Sequence, residues 1–303
     1  MASVRHHSRW TSSRRKRLTK GLIFICPWLI SLAVFTIYPI AASLYYSFTQ
    51  YDIVRPPIWI GLNNYRAMAS DHIFRKSLSN TIWFVFFGVS GQLLIAFALA
   101  LFLNMKKLRF RSLFRAIFYL PVIIPVVATG YVWRWIFNVR VGLLNYLLGL
   151  LAVNPVPWLA DPQWAKRSLL LIHYWLCGGA MVIFLAALQD VPQSLYEAAK
   201  IDGANTWNQF WHVTLPLCTP AILFNAIMGV IGTFQIFSVV WILTKGGPNF
   251  ATEFYGVYLY RNAFSYFKMG YASALAWLLA LIILACVVLI YQTSARWVFY
   301  GGE

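Results

Sequence analysis

Six stretches of this chain are apolar and uncharged for long enough to cross a bilayer. That pattern restricts the fold more than any other feature. The stretches are Gly21–Tyr51, Ser77–Met105, Ala116–Trp133, Ser168–Gln189, Gly203–Thr244 and Met269–Ala295. A spanning helix needs about 20 mostly apolar residues, and one central charge costs about 2.5–3.5 kcal/mol on insertion scales. Pro216 and Pro220 interrupt the fifth stretch, so its spanning part is placed from Pro220 onward. The expected fold is an all-α integral membrane protein with six transmembrane helices, at about 21–48, 79–103, 114–137, 168–188, 220–243 and 270–293. With 60% hydrophobic and 11% charged residues, the chain has too little polar surface for an ordinary soluble globule. The first apolar stretch exceeds the core of a signal peptide, and no small-residue cleavage site follows it, so it is read as retained.

The net charge of +17 comes from 25 basic and 8 acidic residues. Much of the basic charge stands beside the spans, which argues for topology rather than a nucleic-acid surface. Arg5, Arg9, Arg14, Arg15, Lys16, Arg17 and Lys20 occupy the tail 1–20, and Lys106, Lys107, Arg109, Arg111 and Arg115 the connection between spans two and three. Both segments are expected in the cytoplasm. Parity then puts the loops 49–78, 138–167 and 244–269 outside, and 189–219 in the cytoplasm. Pro27, Pro39, Pro121 and Pro125 predict kinks within spans. Pro155, Pro157 and Pro162 mark an extended outer loop, and Gly246-Gly247-Pro248 a turn after span five. Cys26, Cys177, Cys218 and Cys286 have no paired spacing and read as packing residues, with no metal site.

The segment Asp190–Pro220 is too polar for lipid but has helix signals. Pro192 suits a helix start, with Asp190 or Ser194 as the expected cap. Ser194–Asp202 is rich in helix formers, and Gly203 suits a left-handed end. Asn205–Val213 predicts a second helix with an apolar edge of Trp207, Phe210 and Trp211, stopped by Leu215-Pro216. The reading is a short helix–turn–helix at the membrane surface, with Ala198 and Ala199 small enough for close approach and Glu197 and Asp202 offering charge.

Glu197-Ala198-Ala199, Asp202-Gly203-Ala204, Phe210 and Leu215-Pro216 together resemble the EAA loop of binding-protein-dependent ABC importer permeases. Further motifs resemble the carbohydrate-uptake branch of that family, of the maltose, lactose and glycerol-phosphate type. They include Ser47-Phe48, Gly61-Leu62-Asn63-Asn64-Tyr65, Asn80-Thr81, Tyr119-Leu120-Pro121, Thr244 with Gly246-Gly247-Pro248, and Gly270-Tyr271-Ala272. The resemblance implies a type I ABC importer permease fold in a bacterial or archaeal cytoplasmic membrane. It also implies that the loop docks on a separate ATPase. The implied partners are a second homologous permease, two cytoplasmic ABC ATPases that hold ATP and Mg, an extracytoplasmic solute-binding protein and membrane lipid. This chain has no GxxxxGK[ST] phosphate loop, so it is expected to bind no cofactor and to be a transporter subunit rather than an enzyme. It has no large outer domain like that of the enteric maltose subunit, so a binding protein is expected to dock on short outer loops.

Two other classes fit less well. A membrane enzyme needs titratable groups at depth; His173 is the only histidine clearly inside a span, and it reads as a hydrogen-bonded packing residue. An ion-coupled carrier places acids in its spans, and none of these spans holds Asp or Glu. An uncharged path with aromatic faces suits a sugar, although a solute such as glycerol phosphate is the alternative within the same family. Alignment with the maltose permease subunit points to Thr233 and Gln235 in span five, and to Trp175, Gly178 and Gly179 in span four, as the substrate path. Two residues apart on a helix, Thr233 and Gln235 diverge by about 200°, so both line one path only if the helix is broken. The two glycines would leave room for a ring against Trp175; the alternative is that they allow close helix packing and that Gln235 bonds a neighbouring helix.

Overall fold

The computed structural model describes residues 12–105 and 107–299. Arg5, Arg9 and Lys106, three of the residues used to orient the chain, lie outside them. The fold is all-α apart from one two-stranded hairpin, β1 (Thr49–Gln50) with β2 (Ile58–Trp59), among the described residues.

The first span is a mostly apolar rod of 29 residues, Thr19–Ser47. It comprises α1 (Ser12–Leu32), a π-helical turn (Ala33–Ile37) and α2 (Tyr38–Ser47). The helix therefore begins well before residue 21, inside what reads as a basic tail. Pro27 lies within α1, while Pro39 is the second residue of α2, which directly follows the π-helical turn. None of this rod's most apolar window is buried within the chain.

After α3 (Asn63–Ser70), span two is the 33-residue α4 (His72–Asn104), about 50 Å long at 1.5 Å per residue. Asp71 caps it by accepting from the amides of Ile73 at 2.9 Å and Phe74 at 3.2 Å.

Span three is not a kinked rod. It consists of α5 (Arg111–Ile123) and α6 (Val126–Ile136), bent by 101°. Pro125 supplies the reason: the residue before a proline avoids helical geometry, and Ile124 is extended at φ −68°, ψ 127°. Pro121 lies inside α5 without breaking it. Span four, after α7 (Leu143–Leu150), is likewise double: α8 (Pro162–Trp175) and α9 (Gly178–Asp190) meet at 42°. Pro162 starts α8 rather than extending the preceding loop, beside the capping carboxylate of Asp161.

The connection between spans four and five holds α10 (Gln193–Ile201) and α11 (Thr206–Gln209). Leu215-Pro216 does not stop the second helix. It runs on through a π turn (Phe210–Thr214) into α12 (Leu215–Phe234), and after a break at Gln235–Phe237 α13 (Ser238–Leu243) completes the stretch Thr206–Leu243. The fifth span thus extends a helix that starts well before Pro220. Pro216 follows closely on the π turn, where the backbone stays helical (Thr214 φ −67°, ψ −54°), so the proline removes a bond without ending the helix. α14 (Tyr255–Tyr260) and a third π turn (Arg261–Ser265) lead to the last span, α15 (Met269–Ser294). Among the described residues, four helices are long and apolar enough to cross a membrane, or up to six spans if each bent pair is one.

Packing centres on α4. Ala96 and Ala100, one turn apart and fully buried, let α9 approach through Met181, Phe184 and Leu185. Further along, Val85 and Val89 join Val230, Tyr255 and Leu275 from α12, α14 and α15. Cys177 and Cys218 are buried among such residues as free thiols.

Candidate functional site: a helix–turn–helix loop and two broken spans

The loop between spans four and five is shaped by the end of α10. Gly203 has φ +78°, as a left-handed helix terminus requires. The amide of Ala204 donates to the carbonyl of Ala199 at 2.8 Å, and that of Gly203 to Lys200 at 3.1 Å. This pair is the Schellman pattern. Asn205 then opens the next helix, its side chain accepting from the Asn208 amide at 2.8 Å. The start of α10 departs from expectation. Pro192 occupies the cap position without a side-chain cap, Asp190 ends α9, and Ser194 lies inside α10.

Glu197, Ala198, Asp202 and Gly203 are exposed, with Ala199 and Ala204 half-buried beside them. Trp207 and Trp211 are exposed and meet edge to face at 5.6 Å. Phe210, Leu215 and Pro216 differ from the rest of the motif. They are half-buried in the helix itself, with Phe210 6.3 Å from Phe97 of α4. Their place is at the root of span five rather than on the open face.

The two helix breaks converge. α13, which follows the break at Gln235–Phe237, packs against α6, which follows the break at Pro125. A Cβ on Gly130 would stand 2.8 Å from Ile242, so Gly130 permits this approach. No proline or glycine occupies 235–237. Instead, the carbonyl of Ile236 lies where a Cβ on Gly256 of α14 would sit 2.9 Å away, so the break accompanies tight contact with α14.

Thr233, on the near side of the break, is buried at 3% exposure, while Gln235 is exposed. Thr233 therefore faces protein and leaves the open surface to Gln235. Trp175 meets Trp133 edge to face at 5.6 Å. The glycines after it divide. A Cβ on Gly178 would fall 2.4 Å from the Phe118 carbonyl of α5, whereas Gly179 has open space. Gly178 is thus a helix-packing residue, and only Gly179 leaves room beside Trp175. His173 packs against Phe84 at 5.5 Å, but its Nε2 has no hydrogen-bond partner among the described residues.

The connections 49–78 and 244–269 form a bonded network with the start of α4, and the sequence carries no signal of its partners. Asn80 donates to the carbonyls of Phe250 at 2.8 Å and Glu253 at 3.1 Å, and Thr81 accepts from the Tyr255 amide at 2.8 Å. Asn64 donates to the Ser47 and Thr49 carbonyls, both at 2.9 Å. Gly270 lies so near Thr49 that a Cβ would meet its carbonyl at 2.0 Å. Asp71 also accepts from the hydroxyls of Tyr258 and, at 2.9 Å, Tyr271. Burial raises its carboxyl, but the donations from Tyr258, Phe74, Tyr271 and Ile73 together bring it below its ordinary value. Glu253, with no exposed surface, has Arg261 at 3.1 Å. Burial outweighs that charge and pushes the carboxyl up to about 7. The motif residues Asn64, Asn80, Thr81 and Gly270 were visible in the sequence; their partners, mostly main-chain carbonyls far along the chain, were not.

A bundle of apolar spans, with breaks in spans three, four and five and an exposed helix–Gly–helix loop between the last two of these, is the architecture of a multi-pass membrane protein. The family described as binding-protein-dependent transport system inner membrane component matches residues 92–299, and the chain belongs to it. A probable ABC transporter permease protein of Bacillus subtilis (strain 168), YesP, is 40% identical over 296 residues, covering 96% of this chain and 95% of its own. The lactose transport system permease protein LacF of Rhizobium radiobacter is 33% identical over 90% of this chain and 93% of its own. A chain of the bacterial alginate ABC transporter, solved in complex with an alginate pentasaccharide-bound periplasmic protein, shares the fold at a TM-score of 0.80 and 22% identity, over 95% of this chain and 97% of that one. The fold is therefore that of a type I ABC importer permease, and the chain is a multi-pass transporter subunit rather than an enzyme.

Proposed function

We propose that this chain forms half of the translocation path for a sugar or oligosaccharide and couples it to a separate ATPase through residues 189–219. The observation that carries the coupling role is the end of α10: a Schellman turn at Gly203 presents Glu197, Ala198 and Asp202 on an open face, while Tyr196 bonds to Thr214 at the root of span five. A load on α10 is thereby passed to the continuous helical stretch Thr206–Phe234 as rigid-body motion. The loop and the basic residues Arg109, Arg111 and Arg115 face the cytoplasm in this reading. The partners are a second homologous permease, two ATPases that hold ATP and Mg, and an outer solute-binding protein. The sugar assignment draws on the names of relatives such as the lactose permease, and on the aromatic pair Trp133–Trp175 beside the open Gly179.

Reconstitution with the partner subunits tests the reading. Sugar uptake should require ATP and the binding protein, and Glu197→Lys should assemble yet lose uptake. Normal uptake by Glu197→Lys would remove the coupling role from this loop.

A further inference from the structure

The underside of the loop holds a further feature beside the Tyr196–Thr214 bond. A cavity of about 600 Å³ opens between the loop and the ends of the spans. Arg111 of α5 and Lys200 of α10 line it, with the side-chain amides of Asn104, Gln189 and Gln209, and Leu101 and Leu188 on the membrane side. No carboxylate lines it among the described residues: Asp190, Glu197 and Asp202 lie on the same stretch of chain but outside its wall. A space with two cations, several amide donors and no acid selects an anion. Arg supplies a planar fork matched to phosphate oxygens, and Lys a mobile point charge.

The depth of the cavity narrows the ligand. Leu101 and Asn104 are in the last turn of α4, and Leu188 and Gln189 in the last turns of α9. The wall thus changes from apolar to polar where two spans leave the bilayer. Basic pockets between spans at the cytoplasmic boundary suit phosphate headgroups.

We propose that this cavity binds a phosphate-bearing anion at the cytoplasmic membrane boundary, held by Arg111 and Lys200. The proposal rests on the reading that residues 189–219 face the cytoplasm. Two sources share this chemistry, an anionic phospholipid headgroup and a soluble phosphate.

The test uses the assembled transporter in nanodiscs of phosphatidylcholine and phosphatidylglycerol, with lipid retained after extraction counted by native mass spectrometry. Wild type should retain phosphatidylglycerol selectively. Arg111→Gln and Lys200→Gln should each weaken that retention about five-fold, the effect of removing one basic group near the surface. Arg109→Gln, in the same connection but outside the cavity wall, should stay close to wild type. Arg111 also donates to the Met105 carbonyl at 2.9 Å, so Lys200→Gln is the variant free of that structural role. Inorganic phosphate is titrated in parallel. Displacement of lipid by phosphate, or a thermal shift with phosphate alone that both variants abolish, assigns the site to a soluble phosphate. Retention that resists phosphate but falls in both variants assigns it to the headgroup. Equal retention and equal phosphate response in wild type and both variants overturns the proposal. A protease-site tag at residue 205 reports topology separately. A cytoplasmic tag with unselective retention sinks the cavity alone, whereas an outward tag sinks the topological reading and the proposal with it.

Discussion

Tyr196 and Thr214 share a hydrogen bond of 2.9 Å between their hydroxyls, joining the middle of α10 to the last residue before α12. This bond ties α10 to the root of span five, so stiffness in transmission should depend on it. Tyr196→Phe keeps the ring and loses the bond, at a cost of about 1 kcal/mol. The expected outcome is a folded, assembled transporter with less sugar carried per ATP hydrolysed. Paired uptake and ATPase measurements on the same proteoliposomes check this.

Gly203 holds φ +78° with open space around it, so conformation rather than volume decides what can replace it. Asn tolerates the left-handed region and Val does not, with a penalty of about 1–2 kcal/mol. Gly203→Asn should keep most uptake, and Gly203→Val should lose it while still inserting. Uptake assays with membrane-fraction immunoblots distinguish the two.

Adjacent glycines should respond oppositely to one methyl group. Gly178→Ala drives a carbon to within 2.4 Å of the Phe118 carbonyl, while Gly179→Ala meets nothing within 4 Å. Overpacking of this kind costs about 1–3 kcal/mol. Thermal unfolding in detergent should show a lower Tm for Gly178→Ala and an unchanged one for Gly179→Ala.

The buried Glu253 makes stability depend on pH. Its carboxyl is raised from an ordinary 4.5 to about 7 by burial, despite Arg261. The folded state therefore holds a proton that the unfolded state has released, and stability from this group is full below pH 4.5 and lost as pH rises through about 7. Asp71, lowered in the folded state, works in the opposite sense, its contribution being lost as pH falls toward its ordinary value of 3.8 and below. Between pH 5 and 8 the Tm should fall because of Glu253, and Glu253→Gln should flatten that slope.

Trp175 and Gln235 should matter for uptake more than Thr233. Gln235 is exposed at the break between α12 and α13, and Thr233 is buried. Trp175→Ala and Gln235→Leu should raise the apparent KM for sugar with assembly intact. Thr233→Val should change stability rather than KM. Transport kinetics with a fixed binding-protein concentration check the order.

Six apolar spans, the helix–Gly–helix loop and the positive φ of Gly203 were legible from the chain alone, because each depends on local properties: hydropathy over about 20 residues, helix propensity, and the absence of a Cβ. Proline marked the break at Ile124–Pro125 but not its 101° size, which depends on what α6 packs against. Leu215-Pro216 read as a stop and proved to be the first turn of a longer helix, a choice made by the π turn that precedes it. The break at Gln235–Phe237 carries no local signal. It coincides with the close approach of Gly256 to the Ile236 carbonyl, a contact between segments that only tertiary packing brings together. The burial of Thr233, the packing role of Gly178, the pairing of Asn80 with Phe250 and Glu253, and the cavity between Arg111 and Lys200 are of the same kind. Each joins residues distant in the chain, and a distance between such residues is a property of the folded bundle, not of any window of sequence.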